Sequence, residues 1–387
     1  MSGAWSTVAE RMLVNFFYAQ PVGHAVEALH YCHGHAVAVP GREVSLALNA
    51  ASAPELAGLC PFVTAAHAID HPFLEPCADS LSRLGAVPRD WDWIVDDGRR
   101  HQPFQLEMFP GMRDYYAASD VHLRGRRGRS VTGAQRAGYL PHQPLRFVLP
   151  PAARAAAAAR LETGLPVSGR IALLPAGSSD PSLYPSPGSW QLVLDALTDA
   201  LPGVQMVLVG RTARDERTST ALGPDGLRRL LAHRSAPVDC VDVPLVEQLA
   251  VVEACDVFLA PHTGFGLAAL AVGTPWLSLS GGRWFEYYFN HVPFRSILPD
   301  PDRYPSFSQF DPAVTAPDGD EGPRTPSMSR ARIRDDLDRI VAAAGELLAG
   351  SLSYDQALRD YFPALRAAHH GDPTAIWSID SVHLDHL

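Results

Sequence analysis

Short apolar runs alternate with segments of mixed polarity along most of the chain. The elements predicted in the first half are strands at residues 12–18, 42–49 and 91–95 and helices at residues 22–33, 53–59 and 77–85. The helix at 22–33 is predicted to begin just after Gly23. Between residues 96 and 138 the pattern is too irregular to predict any element.

The second half shows the same alternation more regularly. Its predicted elements are strands at residues 171–175, 205–209, 238–243 and 257–261, helices at 190–201 and 246–254, and a small-residue helix and a fifth strand after residue 266. Ser189 is the candidate N-cap of the helix at 190–201. Strands that alternate with helices form parallel sheets, and ligands of such sheets bind at the carboxyl ends of the strands.

The domain organisation follows from an alanine-rich segment at residues 150–169, which is predicted to be a helical connection. We expect an α/β chain of two Rossmann-like domains, residues 1–150 and 165–330, which face each other across a cleft. Residues 331–387 are expected to form helices that pack back across the domains. In this tail an apolar stripe predicts one helix over 332–350, and Ser353 followed by Gln356 predicts the N-terminus of another.

Composition supports this organisation into two domains and argues against a membrane or a secreted protein. With 387 residues, 47 % of them hydrophobic, the chain can form two well-packed domains. It contains no apolar run of membrane-spanning length and no evident secretory signal, so a cytoplasmic protein is expected. The five cysteines form no CxxC pair and are expected to be free thiols.

The chain has no lysine, so all 32 basic residues are arginine. This excludes Schiff-base chemistry, pyridoxal phosphate attachment and a Walker-type lysine. A net charge of −10 argues against nucleic-acid binding. No GxGxxG follows the first strand, which disfavours a dehydrogenase or a methyltransferase. Any bound phosphate would be held by arginine, hydroxyl groups or backbone amides.

The strongest candidate for phosphate binding is the loop that follows the strand at 257–261. A helix that begins in a glycine loop presents free backbone N–H groups and the positive end of its dipole, which suits a diphosphate. A routine βαβ turn, whose glycines serve only packing, gives the same pattern. The loop consists of His262, Thr263, Gly264, Phe265 and Gly266.

Two other loops are expected at the same edge of the sheet. Ser178 and Ser179 follow the strand at 171–175 and can donate hydroxyl hydrogen bonds to phosphate oxygens. Arg211 follows the strand at 205–209 and could pair with a diphosphate. The alternatives are turn chemistry for the serines and a solvated surface charge for Arg211.

Candidate catalytic groups come from the first half. His24 lies where the first strand passes into the first helix, and a histidine there suits proton removal near neutral pH. Asp70 lies near another strand end and could orient His24 or act as the base. A solvated histidine at a helix terminus is the alternative for His24.

Three other features of the first half are interpreted as structural. His30, His33 and His35 are expected to form a polar helix terminus, with a metal site as the weaker alternative. The arginine-rich run at 123–129 is expected to be a mobile surface loop, with an acidic or phosphorylated acceptor as the weaker alternative. The aromatic residues within 284–288 are expected to serve packing, with base or sugar stacking as the alternative.

These residues resemble those of the heptosyltransferase-like glycosyltransferase family 9, which has the GT-B fold. That family usually shows Asp-Thr/Ser-Gly-x-x-His before an alanine-rich helix, and this chain has His262 at the position of the Asp and no histidine at the far end of the motif, which follows Gly266. The family tends to carry a lysine before a Trp-Pro pair, where this chain has Ser182 before Tyr184-Pro185. The family's catalytic Asp follows a glycine at the first strand-to-helix turn, and the corresponding residue here is His24.

The resemblance implies an inverting transfer, without a metal or other cofactor, from a nucleoside-diphosphate sugar to a small-molecule acceptor. Residues 1–150 would bind the acceptor, a secondary metabolite being one possibility, and residues 165–330 the donor. Within the donor domain the nucleoside would lie against the turn that contains Val241 and Val243. A sugar-nucleotide epimerase of the same fold and a non-catalytic nucleotide-sugar-binding protein are the alternatives. The donor sugar, the acceptor and the oligomeric state stay open.

Overall fold

The computed structural model describes residues 9–18, 21–128, 130–131, 134–164, 166–213, 219–283, 290–308 and 314–376. It divides into two compact units, Met1–Phe147 (unit 1) and Val148–Leu387 (unit 2). The aromatic residues within 284–288 and Arg129 lie outside the described residues. No described helix is long and apolar enough to cross a membrane.

Unit 1 is built on a parallel sheet of four strands in the order β3-β2-β1-β4. Its strands are β1 (Arg11–Asn15), β2 (Glu43–Asn49), β3 (Val63–Ile69) and β4 (Trp93–Asp96). Its α-helices are α1 (Val22–Ala38), α2 (Ser80–Arg83), α3 (Pro103–Met108) and α4 (Pro110–His122). Short 3-10 helices lie at Pro54–Leu59, Gly98–His101 and Ala134–Ala137.

The helices α3 and α4 occupy the segment for which the sequence predicted no element. The buried face of α4 consists largely of aromatic and polar side chains rather than aliphatic ones. Tyr115, for example, stacks on Phe17 with ring centroids 3.9 Å apart and donates its hydroxyl to the side-chain oxygen of Asn15. A face of this composition gives a weak apolar period, which is why the pattern failed to indicate a helix.

Two expectations for unit 1 are wrong. Helix α1 continues to Ala38 and not to His33 as predicted, so His33 lies inside it and His35 lies in its last turn, where its Nδ1 donates to the Gly138 carbonyl at 2.6 Å. The described part of the arginine-rich run, residues 123–128, is anchored, since Gly128 donates its N–H to the Ile94 carbonyl of β4 at 2.8 Å. Arg127 in that run pairs with Asp96 at 2.8 Å.

Unit 2 is built on a parallel sheet of six strands in the order β10-β9-β8-β5-β6-β7. Its strands are β5 (Gly169–Leu173), β6 (Val204–Gly210), β7 (Val238–Val241), β8 (Val257–Pro261), β9 (Trp276–Leu279) and β10 (Phe294–Ile297), and β11 (Ala316–Pro317) and β12 (Pro323–Arg324) form a separate antiparallel pair. Its first and fourth strands in chain order are neighbours, which is the doubly wound arrangement.

Helices cover this sheet and extend into the tail. They are α5 (Pro151–Leu161), α6 (Pro187–Ala200), α7 (Gly223–Leu231), α8 (Leu245–Glu253), α9 (Gly264–Ala271), α10 (Arg330–Asp335), α11 (Leu337–Leu348) and α12 (Tyr354–Ala368). Short 3-10 helices lie at Pro181–Leu183, Gly319–Glu321, Pro326–Met328 and Pro373–Ala375. The sequence did not predict α7 or the sixth strand, β10.

Two helix starts test the capping predictions. Helix α6 begins three residues before the predicted start, with Pro187 in its first turn and Ser186 as its cap. The hydroxyl of Ser186 accepts the Ser189 N–H, so the prediction of Ser189 as the cap is wrong. At α12 the predicted cap is confirmed, because the Ser353 hydroxyl accepts the Gln356 N–H at 3.2 Å.

The tail packs on unit 2 through its apolar stripe. Helices α10 and α11 contact α6, and α12 contacts β10. Ile340, Ala344 and Leu347 are buried on α11. Arg295 of β10 joins Glu346 and Asp360, each at 2.7 Å, and so links the two last helices to the sheet. The alanine-rich helix α5 packs on α8, and its small side chains permit a close approach.

Gly266 on α9 is required by packing against β9. A Cβ at this position would lie 2.3 to 2.5 Å from three atoms of the Trp276 ring, which is fully buried and so cannot move aside cheaply. We predict that Gly266→Ala lowers the free energy of unfolding by about 1–3 kcal/mol, the usual cost of overpacking. Urea denaturation followed by circular dichroism measures this.

Gly58 supplies the matched control. A Cβ there meets nothing within 4 Å, and the residue lies in a 3-10 helix. Gly58→Ala should leave stability unchanged or raise it slightly, since alanine restricts the unfolded chain. Equal losses for the two variants would contradict the packing explanation.

Candidate functional site

The loops that follow β5 and β8 meet at Gly177. These strands are neighbours in the sheet, so their carboxyl ends lie side by side. A Cβ on Gly177 would lie 2.7 Å from the hydroxyl of Tyr184 in the same loop and 3.3 Å from the methyl of Thr263 in the β8 loop. The absence of a side chain at Gly177 therefore favours the close approach of the two loops. The structure therefore brings the Ser178–Ser179 loop next to the start of α9.

The loop after β6 reaches the same point. Ala221 donates its N–H to the Gly177 carbonyl at 2.7 Å, and Thr220 donates its N–H to the Arg211 carbonyl at 2.8 Å. Arg211 thus belongs to a segment that is bonded directly to the β5 loop. The sequence predicted phosphate contacts in three loops, and these loops converge at one edge of the sheet. They lie at its switch point, which is the place where the strand order reverses and where this architecture usually binds its ligands.

The start of α9 offers fewer donors than the sequence suggested. The N–H of Gly266 bonds to the Thr263 carbonyl at 3.0 Å and to the Thr263 hydroxyl at 3.3 Å, so it is used within the helix terminus. The N–H groups of Gly264 and Phe265 precede it and have no intrahelical acceptor. Gly266 serves packing, and the backbone donors left at the helix start are those of Gly264 and Phe265.

Two remaining residues of this loop region are placed differently. His262 is partly exposed at the end of β8, with its ring 6.4 Å from that of Trp276. Val243 is buried, and its carbonyl accepts from the Gln248 amide at 2.7 Å. The same amide donates to the Gly210 carbonyl at 3.0 Å and so joins the ends of β6 and β7. Val241 is the half-buried last residue of β7.

In unit 1 the switch point lies between β1 and β4, and His24 is the third residue of α1 beside it. The His24 ring stands edge-on to the Tyr18 ring at 4.7 Å. Glu27, one turn further along α1, is buried and pairs with Arg99 at 2.9 Å. Arg99 also pairs with Asp97 at 3.0 Å and lies over the Tyr18 ring at 3.8 Å.

This group of residues, Tyr18, Glu27, Asp97 and Arg99, is called the switch cluster below. All four side chains are buried. Burial raises the pKa of Tyr18 to about 12, so its hydroxyl stays protonated at neutral pH. Burial also raises the pKa of Asp97, which the Arg99 charge lowers in part. One guanidinium holds two carboxylates and an aromatic face, which makes a rigid support beside His24.

The structure places Asp70 away from this group. It follows β3, the edge strand, which β2 separates from β1. Its side chain is 98 % exposed and lies 3.7 Å from Arg83. The acidic side chains beside the first strand come instead from β4, because β4 is the direct neighbour of β1. Strand order cannot be read from the chain, so the sequence did not show that β4, and not β3, would be the direct neighbour of β1.

Sequence reasoning missed the whole switch cluster, although one signal was present. Asp96 and Asp97 directly follow an apolar strand, and Arg99 lies two residues later. Two acidic residues and an arginine at a strand end indicate a charged site at the carboxyl edge of a sheet.

Within the described part of the chain, no group of three or more His, Cys, Asp or Glu residues is placed to hold a metal ion.

No protein-family model matches the chain, and no curated protein matches its sequence. Solved structures do match it. A glycosyl transferase family 9 protein from Veillonella parvula DSM 2008 has 13 % identity and a TM-score of 0.61, over 88 % of this chain and 98 % of that one. The ADP-heptose LPS heptosyltransferase II of E. coli has 13 % identity and a TM-score of 0.50, over 87 % and 99 %. The chain therefore has the GT-B glycosyltransferase fold that its sequence predicted.

Proposed function

We propose that this protein transfers a sugar from a nucleoside-diphosphate sugar to a small-molecule acceptor, with inversion and without a metal. The convergence of three loops at Gly177 is the observation that carries the proposal. It gathers hydroxyl groups, backbone N–H groups and one arginine at the switch point of a doubly wound sheet. The GT-B fold makes a sugar nucleotide the natural ligand for that set of donors.

Unit 2 would bind the donor. The N–H groups of Gly264 and Phe265 and the hydroxyls of Ser178 and Ser179 would donate to the diphosphate, and Arg211 would balance its charge. These groups stabilise a leaving diphosphate best when its negative charge grows, so they act on the transition state. The helix dipole of α9 adds to them. Because the chain contains no lysine, no lysine side chain can contribute to this stabilisation.

His24 of unit 1 would be the general base. The acceptor oxygen forms its bond to the anomeric carbon while the bond from that carbon to the diphosphate oxygen breaks. The acceptor proton passes to His24, and the electron pair of the broken bond leaves with the diphosphate. Attack from the face opposite the leaving group inverts the anomeric centre.

The switch cluster would position this base. The edge-on contact with Tyr18 fixes one side of the His24 ring, and Arg99 in turn fixes Tyr18. Because the cluster is buried and internally paired, His24 would keep its orientation without acceptor present. Preorganised geometry of this kind is a main source of rate acceleration.

The first prediction concerns the donor. We expect one of ADP, UDP, GDP, dTDP and CDP to raise the melting temperature of the protein in EDTA, and magnesium to add little. A ligand at a hundred times its Kd stabilises by about 2.7 kcal/mol. Differential scanning fluorimetry measures the shift. Absence of any shift, with and without magnesium, would remove the basis of the proposal.

The second prediction concerns Arg211. We expect Arg211→Ala to weaken binding of that diphosphate about 10- to 100-fold, because one charge-assisted interaction is worth about 1.5–3 kcal/mol. Isothermal titration calorimetry measures the affinity. Arg234→Ala is the control, since Arg234 pairs with Asp195 and Asp199 on the surface of α6. Similar losses in both variants would point to general electrostatics and not to a specific contact.

The third prediction concerns His24. We expect His24→Ala to lower the rate of nucleoside diphosphate release in the presence of acceptor by about 10²- to 10⁴-fold. Donor affinity should change little, since His24 belongs to the other unit. His67→Ala removes the same ring from the edge strand β3 and should leave the rate unchanged. A loss of donor affinity as large as the loss of rate would exclude the base role.

The alternative functions predict different outcomes. An epimerase would convert or hydrolyse the donor with no acceptor present. A non-catalytic binding protein would bind the diphosphate, and His24→Ala would change nothing that can be measured. Assays of donor turnover with and without acceptor therefore separate the three functions.

A further inference from the structure

A pocket of about 540 Å³ lies within unit 2, beside the loops that meet at Gly177. It is formed by the end of the β5 loop, the N-terminal ends of α6 and α7, and the β11–β12 hairpin. Its charged and aromatic lining residues are Asp180, Tyr184, Asp225, Arg229, Glu321 and Arg324. None of the residues proposed above for the diphosphate lines it.

The hairpin is fastened to the rest of the unit by Glu321. One oxygen of this carboxylate accepts the Gly188 N–H in the first turn of α6 at 2.7 Å, and the other pairs with Arg229 at 2.8 Å. Burial alone would raise the pKa of Glu321, but the Gly188 N–H and Arg229 lower it below its usual range. Thr325 donates its N–H to the Ser182 carbonyl at 3.0 Å and ties the hairpin to the β5 loop.

The other nearby carboxylates also have partners. Asp318 accepts the Arg330 N–H at 2.8 Å, and Asp180 accepts the Ser182 N–H at 2.8 Å. Asp225 pairs with Arg228 on the surface of α7. Each acidic group around the pocket therefore already has a partner of its own.

Arg324 differs from these residues. Its side chain lines the pocket, yet the residue is only 6 % exposed. Its one hydrogen bond runs from Nη1 to the carbonyl of Pro323, the preceding residue, at 2.8 Å. Nε is buried without an acceptor, and within the described ranges no carboxylate forms an ion pair with this guanidinium. Burial lowers its pKa, and the charges of Asp318, Glu321 and Asp180 raise it only in part, since none of these carboxylates forms an ion pair with it among the described residues.

We propose that this pocket is an anion-binding site in which Arg324 pairs with the phosphate group of a small molecule. A buried guanidinium without a partner is costly, and an anion that enters the pocket would remove that cost. A guanidinium has five N–H donors, of which Arg324 uses one, and phosphate supplies several oxygens in matching geometry. The volume is that of a typical small-molecule site. The site does not depend on the proposed sugar transfer.

The test is calorimetric titration of the full chain with inorganic phosphate, for wild type, Arg324→Met, Arg324→Lys and Arg234→Met. We expect Arg324→Met to bind phosphate at least tenfold more weakly, Arg324→Lys to retain part of the affinity, and Arg234→Met to match wild type. Phosphate affinity that is the same in wild type and Arg324→Met, or no phosphate binding by wild type, would overturn the proposal.

Folding and ligand source are checked separately. Arg324→Met should melt no lower than wild type without phosphate, because the guanidinium it removes has no ion partner. A lower melting temperature would show that Arg324 holds the hairpin and would overturn the site. The double variant Ser178→Ala, Ser179→Ala should keep phosphate binding.

The nucleoside diphosphate panel then identifies which molecule uses the site. If Arg324→Met also weakens diphosphate binding, the pocket receives a phosphate of the donor. If only inorganic phosphate is affected, the pocket takes a separate phosphorylated ligand. Either result supports the phosphate site. If no nucleotide of the panel binds but phosphate binding still requires Arg324, the phosphate site is supported and the proposed sugar transfer is not.

Discussion

The parallel pairing of β5 with β8 determines where unit 2 can bind a ligand. Ile171 pairs with Val257 and Leu173 with Leu259, although these strands are far apart in the chain. The pairing puts the carboxyl ends of the first and fourth strands side by side. The contact between Gly177 and Thr263, and with it the set of phosphate donors proposed above, depends on this pairing. All of β8 and the last three residues of β5 are buried, as expected for central strands of a parallel sheet that helices cover on both faces.

The two units use the same kind of switch point in different ways. In unit 2 the loops present hydroxyl and backbone donors, with Arg211 as the charged group. In unit 1 the switch point buries Arg99 against Asp97 and Glu27, so its charges are paired within the protein. The first arrangement suits the capture of an anion. The second suits the rigid support of a reactive side chain such as His24.

The absence of lysine gives the arginines of this chain unusually varied roles. Arg99 is a buried structural cation, Arg127 anchors a loop through Asp96, and Arg295 links the tail to the sheet. Each pairs with carboxylates through the planar, multidentate geometry that only arginine has. Arg324 is also buried but has no carboxylate partner among the described residues, and this contrast is the basis for the anion site proposed above.

The sequence by itself determined the fold class and the position of those helices and strands that have the clearest local pattern. The strand at 257–261 was predicted with its observed bounds, because an unbroken apolar run ends there in a polar loop, and Ser353 was predicted as a cap because capping is local chemistry. Tertiary structure decided the rest. Helix α4 has too few aliphatic residues to show a period, Asp70 was assigned to the wrong neighbour because strand order is not encoded locally, and Arg324 became a candidate only through its burial. Local patterns report the properties of a segment, whereas a binding site depends on which distant segments meet.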